Sequence, residues 1–512
     1  MKEDIMKRAA FFVFGMVVVS LFLAGQIRAA DLPKYGGRLV IAQDIDAVGL
    51  DPYKTTAFAS LNYFEQIYNS LLQFDGKGAL QPELAVSWEN PNPTTYVFRL
   101  RKEVKFQDGK EFTAEDVKAT FDRLLDPKTG SARALTFKSV DRVEVVDKHS
   151  VRFVLKEPFA PFLNYLASPA HSAILSKGVI EKSDPGKVVV GTGPFQMVDY
   201  RPNDTMILKK NPLYWEKGLP YLDELEIRLI KDASSRVAAL RSKSVDHIWI
   251  MEPQLVQILM KEKGVHSAMA ASTARKRVFI NSTKPPLDNV KVRQALSSAT
   301  DRKELIRVTV MGKGELCGAL PAAVGEYAFP AEKLPFYDYN PERAKKLLAE
   351  AGFPNGFKAQ FKVSAAHVTD QYAAQMLQRQ WKKIGVEIDL VQVEWGTLIR
   401  SINEKNYEIG CMTDFWRPDP DEYIVYRWDI QTRAGFSSPD LDKLTAEGLT
   451  TVDPKKRVGV YHEIEKKIAE YAPILYIYAH PQRFEFWNDA LKGYVPLPQC
   501  SRENLKKAWL DK

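Results

Sequence analysis

The stretch from Leu84 to Asp126 constrains the fold more than any other, because its apolar pattern changes period from two to that of a helix within a few turns of chain. Trp88 and Glu89 run into the turn cluster Pro91-Asn92-Pro93, and then Tyr96, Phe98 and Leu100 alternate with Val97, Arg99 and Arg101. Alternation of this kind marks a strand with one buried face. Val104 and Phe106, alternating with Lys105 and Gln107, predict a second strand at once, turned back by Asp108-Gly109, a pair suited to positive φ. Thr113-Ala114-Glu115-Asp116 has the form of a capping box, and Val117, Phe121, Leu124 and Leu125 make the buried stripe of the helix it opens.

A chain of 512 residues exceeds what one core usually serves, so two or three lobes are expected. Gly36 to Gln43 predicts a first strand, closed by Asp51-Pro52 and a loop, Tyr53 to Ser60, ahead of a helix carrying Phe64, Ile67 and Leu71. Such a loop is positioned without being buried and suits ligand contact. Val143, Val145 and Val151, Phe153, Leu155 flank the turn Asp147-Lys148-His149 as a further hairpin. From Tyr221 the order is strand, helix, strand: Leu225, Ile227 and Leu229, then Val237 and Leu240, then Ile248 to Ile250. The strand at Phe279-Ile280 runs into Pro285-Pro286, read as the first crossover into another lobe. There Asp288, Asp301 and Asn340-Pro341 open helices, and Phe357 to Val393 repeats the strand–helix–strand order. Asp453-Pro454 opens the last long helix, and Ile474, Tyr476 and Tyr478 alternate on a strand leading back to the first lobe. One lobe interrupted by another, joined by two strands, permits hinge closure around a ligand.

The N-terminus has the layout of a secretory signal: Lys7-Arg8, an apolar run from Ala9 to Ala24, and the small pair Ala29-Ala30. Cleavage is expected after Ala29 or Ala30, and Gln26 stands where lipid attachment would need Cys, so a non-lipidated periplasmic protein is expected. The first 30 residues hold Lys2, Lys7, Arg8 and Arg28 against Glu3 and Asp4, so +6 of the formal +8 remains beyond them. Spread without long runs, that charge speaks for solubility and against nucleic-acid binding. Cys317, Cys411 and Cys500 allow at most one internal disulfide, with Cys317 and Cys411 the pair expected if one forms.

The seven histidines are not grouped at metal-ligand spacing, and neither a Walker loop nor a G-x-S-x-G elbow is present. Gly191-Thr192-Gly193-Pro194-Phe195 lacks the GK[ST] of a phosphate loop and reads as a turn into a strand. No catalytic residue, metal or cofactor is therefore expected. The remaining cluster is Asp414-Phe415-Trp416-Arg417-Pro418-Asp419-Pro420-Asp421, directly after the apolar run Tyr407 to Met412. A solvated acidic turn is one reading. The other is a site for a zwitterion: Asp414 pairing with an ammonium, Arg417 forking onto a carboxylate, and Trp416 covering apolar groups.

The string SWENPNPTTYVFRLRKEVKFQDGKEFTAEDVKATFDRLLDP resembles the signature of the peptide/nickel-type family of extracellular solute-binding proteins, receptors of bacterial ABC importers. GTGPF, FINSTKPPLDNVKVRQALSSATDRKELI, NPERAKKLLAEAGFPNGF and YAPILYIYAHPQ extend the resemblance over most of the chain. It implies an α/β, two-lobe venus-flytrap fold, type II and cluster C, with an extra subdomain in the first lobe. The implied plan is a signal peptide over 1–30 and a first lobe over 31–275, with a subdomain inserted at about 75–190. A second lobe over 276–480 and a return to the first lobe over 481–512 complete it. The resemblance selects Thr55, Thr56 and Phe58 as ligand-facing, and Asp414 as the nearest match to the aspartate that holds a peptide N-terminus. One extra residue separates Asp414 from the turn, and Glu408 stands near the place of an arginine that some relatives carry. The implied function is a monomeric receptor that captures di- or oligopeptides and delivers them to an inner-membrane ABC permease. Nickel chelates, opines or oligosaccharides are alternative solutes, and a secreted hydrolase is the alternative from another class.

Overall fold

A computed structural model describes residues 32–55, 57–76, 78–269, 274–365, 367–413, 419–424, 426–480, 484–497 and 501–511. Three larger sheets organise them. The opening stretch lies in a four-stranded antiparallel sheet ordered Ala85–Asn92, Thr95–Leu100, Ser150–Leu155, Val140–Asp147. Tyr96, Phe98 and Leu100 face the core as their alternation requires, and Phe98 meets Phe153 edge to face with ring centroids 5.6 Å apart.

Two details differ from the sequence reading. The turn falls at Pro93-Thr94, so Trp88 to Asn92 belong to a strand, and Pro91 is tolerated because that strand is the sheet edge, where a missing N–H breaks no inner ladder. The strand predicted over Val104 to Gln107 shrinks to a single bridge between Lys105 and Glu111. Glu103 at φ 62° breaks the extension, and Val104, Phe106 and Phe112 are fully buried as plugs rather than ladder residues. Helix Ala114–Leu125 follows as expected: the Asp116 carboxylate accepts the Thr113 N–H at 2.9 Å and its hydroxyl at 3.1 Å.

The seven-stranded sheet runs Val265–Met269, Phe484–Asn488, His247–Ile250, Arg38–Gln43, Glu224–Leu229, Thr205–Lys210, Phe195–Arg201. Arg38–Gln43 is parallel to both its neighbours, and helix Ala233–Arg241 makes the crossover between those two. Gly191 and Gly193 lie so close to the backbone of Ile67 that a Cβ on either would collide with it. These glycines seat the turn into strand Phe195–Arg201 against the end of helix Phe58–Ile67.

The five-stranded sheet is ordered Glu387–Val393, Lys358–Ser364, Ile409–Thr413, Arg275–Ile280, Ile474–Ala479. Period two sorts its residues onto two cores: Val278, Ile280, Ile409 and Leu475 on one face, Phe279, Met412, Ile474 and Tyr476 on the other. The chain leaves the seven-stranded sheet at Met269 and enters this one at Arg275, so the change of sheet comes before Pro285-Pro286, not at it. Helix Val290–Ser298 is capped by Asn289, whose side chain accepts the Lys291 N–H, one residue after the expected Asp288. Asp301, Asn340 and Asp453 cap their helices as read. Cys317 and Cys411 are buried thiols that no disulfide joins. Cys411 lies in the core of the five-stranded sheet, whereas Cys317 sits beside Arg302 and Tyr337.

Candidate functional site

Polar side chains gather where the ends of several strands meet. Lys276, second residue of the strand that enters the five-stranded sheet, is wholly buried and pairs with Asp370 on helix Val368–Lys382. Burial alone would pull the Lys276 pKa down, but the Asp370 carboxylate outweighs it and holds the ammonium well above its ordinary value. Thr413, the last residue of strand Ile409–Thr413, donates its hydroxyl to the same carboxylate at 3.2 Å and lies 3.5 Å from His480 Nε2. His367 Nδ1 lies 3.6 Å from Asp370 Oδ2, and its ring meets Trp395 edge to face at 4.6 Å. Burial, helped by the Lys276 ammonium, lowers the His367 pKa, while Asp370 and, from the other lobe, Asp44 oppose that shift. Asp44 follows strand Arg38–Gln43 of the seven-stranded sheet, so this cluster faces the opposite lobe.

Of the predicted ligand residues, Thr55 is buried and its hydroxyl accepts the Ala57 N–H at 3.0 Å, which shapes the turn into helix Phe58–Ile67. Phe58 is the first residue of that helix. Its side chain, and all of Thr56, Asp414, Trp416 and Arg417, lie outside the described residues. What is described on both sides of 414–418 is informative. Thr413 delivers the chain from the Lys276–Asp370 cluster, and Asp419 receives it in a buried fork with Arg457, at 2.8 and 2.6 Å. The solvated-turn reading therefore fails for Asp419 to Ile424: Asp419 is 1% exposed, and Pro420, Tyr423 and Ile424 are buried.

Sequence reasoning missed Lys276, His367 and Asp370. A signal was present, because Asp370 precedes Ala373, Ala374, Leu377 and Trp381 at helical spacing and so falls on the buried stripe, where a carboxylate needs a cation. Among the described residues no group of three or more His, Cys, Asp or Glu could hold a metal ion.

Residues 79–436 match the profile of the bacterial extracellular solute-binding proteins, family 5 (middle region). The chain belongs to this family. Glutathione-binding protein GsiB of Escherichia coli K12 is 29% identical over 452 residues, covering 85% of this chain and 87% of the relative. Among solved structures, the periplasmic binding protein DppA of Helicobacter pylori, in complex with peptide STSA, superposes with a TM-score of 0.81 at 26% identity, over 94% of this chain and 99% of that one. The dipeptide-binding protein of Pseudoalteromonas sp. SM9913, in complex with Met-Leu, gives 0.81 at 26% identity over 93% and 100%. This family-5 protein thus has the type II two-lobe fold and the role of a substrate-binding component of an ABC importer. Its relatives are binding proteins rather than enzymes. No described helix is long and apolar enough to cross a membrane.

Proposed function

We propose that this family-5 receptor captures a short peptide between its lobes and delivers it to an inner-membrane ABC permease. The observation that carries the reading is the likeness, over more than nine-tenths of the chain, to two proteins whose structures hold a tetrapeptide and a dipeptide. The charged strand-end cluster adds chemical sense. A peptide brings one ammonium and one carboxylate, and the half-buried His367 and Asp44, backed by the buried Lys276–Asp370 pair, are polar groups that can meet them. Asp414 is assigned to the ligand ammonium, with Trp416 and Arg417 beside it and Thr55, Thr56 and Phe58 across the cleft. The lobe boundaries are taken as 31–275 with 481–512 for the first lobe and 276–480 for the second. The receptor is taken as a monomer, exported with cleavage after Ala29 or Ala30 and not lipidated.

Mass spectrometry of the solute released by mild denaturation of periplasmic protein tests the peptide assignment. A di- to oligopeptide is the expected product, and a metal chelate, opine or sugar overturns it. Incubation with peptide mixtures should show binding without cleavage. Turnover abolished by a site substitution would replace the receptor reading with a hydrolase. N-terminal sequencing of the same material should begin near Asp31.

A further inference from the structure

The two lobes touch at a second place, apart from the Lys276 cluster. Helix Phe162–Tyr165 and the turn Pro169–Ser172 belong to the chain between the four- and seven-stranded sheets. Asn164 Nδ2 donates to Asp419 Oδ2 at 2.9 Å, onto the carboxylate that Arg457 of helix Pro454–Tyr471 already grips with two nitrogens. His171 Nε2 lies 3.2 Å from Glu422 Oε1, and the Ala160 N–H donates to the Leu449 carbonyl at 2.8 Å. The Leu449 side chain packs on the core of the opposite lobe.

These contacts differ in kind. The Arg457–Asp419 fork lies within one lobe and persists when the lobes part. The Asn164, His171 and Ala160 contacts join the lobes and exist only when they are together. The same Asp419 carboxylate thus anchors its own lobe through Arg457 and receives the other lobe through Asn164. Opening leaves no buried charge behind, since Asp419 keeps its arginine and Asn164 meets water. The contact therefore adjusts the closed-to-open ratio without locking it.

We propose that Asn164 and His171 form a closure latch: they are positioning residues that act through Asp419 and Glu422 and set how long a captured solute is held. The proposal rests on the reading of the protein as a two-lobe receptor that closes on its solute. A hydrogen bond to a charged group is worth about tenfold in such an equilibrium. Asn164→Ala should lower the closed fraction by about that factor, and Asn164→Asp by more, because it sets a second carboxylate against Asp419.

Two measurements on full-length protein test this, with thermal unfolding of each variant as the folding control. Amide hydrogen exchange at Ala160, whose N–H is bonded across the lobes, needs no solute. Protection in the wild type that falls about tenfold in Asn164→Ala and further in Asn164→Asp supports the latch. Equal protection in all three proteins, or none in the wild type, overturns it. Stopped-flow fluorescence with the dipeptide Met-Leu then gives the rates. Dissociation about tenfold faster with association within twofold of wild type supports the latch, and a change confined to association overturns it. Failure of Met-Leu to bind the wild type counts against the peptide reading and leaves the exchange result to decide the latch.

Discussion

Replacing Asp370 by Asn should expose how the Lys276 cluster is held together. Lys276 has a fully buried side chain and Asp370 is 2% exposed, so the substitution leaves an ammonium in a dry site with no counter-charge. Breaking one partner of a buried pair costs about 3–5 kcal/mol. The cost has a pH signature. In the wild type the raised Lys276 pKa means that the pair's contribution is present below the ordinary lysine value and is lost only as pH rises through the higher folded one. In Asp370→Asn the carboxylate is gone and burial alone acts, so the Lys276 pKa falls and the lysine can shed its proton within the folded lobe. The penalty should therefore be largest near pH 6 and shrink toward pH 9. Urea unfolding of both proteins at the two pH values, followed by a probe within the five-stranded lobe, measures it. The double variant Lys276→Met/Asp370→Leu, which removes both charges, should be far less destabilised than the sum of its single changes. A penalty under about 1 kcal/mol at pH 6, or one that does not fall with pH, refutes the reasoning, because surface pairs behave that way and buried ones do not.

At the ligand, Asp414→Asn should weaken binding of the native peptide by about 2–5 kcal/mol if the ion pair is shielded, and much less for the same peptide blocked at its amine; calorimetric titration checks both, and equal affinities remove Asp414 from the site. Glu83, buried and with Glu503 nearby, has its pKa pushed up to about 8, although Asn69 and Ser70 donate to it at 2.5 and 2.7 Å. A raised acid contributes stability that is full below its ordinary pKa and fades as pH rises through the folded one, so stability should decline between about pH 4 and pH 8. Glu83→Gln should flatten that decline, as thermal unfolding over the range will show. Gly193→Ala should cost about 1–3 kcal/mol by overpacking against the Ile67 backbone, read as a lowered unfolding temperature, whereas Gly130→Ala, with open space at its Cβ, should lose only what its positive φ demands.

Local order was legible wherever a short-range rule governs it. The capping residues Thr113, Asp301, Asn340 and Asp453 and the stripe Val117, Phe121, Leu124 rest on contacts within one turn of helix, and they fall where the pattern places them. The misplaced strand over Val104 to Gln107 shows the limit. Alternation cannot reveal that Phe106 is needed as a core plug and that Ala85–Asn92 and Ser150–Leu155 already occupy both sides of Thr95–Leu100. The long-range polar pairs were harder still, because Lys276 and Asp370 stand 94 positions apart and Asn164 and Asp419 stand 255 apart. Each is an ordinary polar residue in its own window. Only folding makes it costly to bury one without the other.

The place of strand Phe484–Asn488 bears on how such a chain is made. It is threaded between His247–Ile250 and Val265–Met269, strands synthesised more than two hundred residues earlier. A polypeptide emerging N-terminus first therefore carries those two strands without their shared partner until nearly all of it has been exported. In that interval both present unbonded backbone, the feature that invites strand addition from other chains. The five-stranded sheet likewise receives its last strand late, at Ile474–Ala479, just ahead of Phe484. Loss of the last thirty or so residues by premature termination, which removes Phe484–Asn488 but spares Ile474–Ala479, should therefore leave an aggregation-prone half-sheet beside a completed five-stranded one.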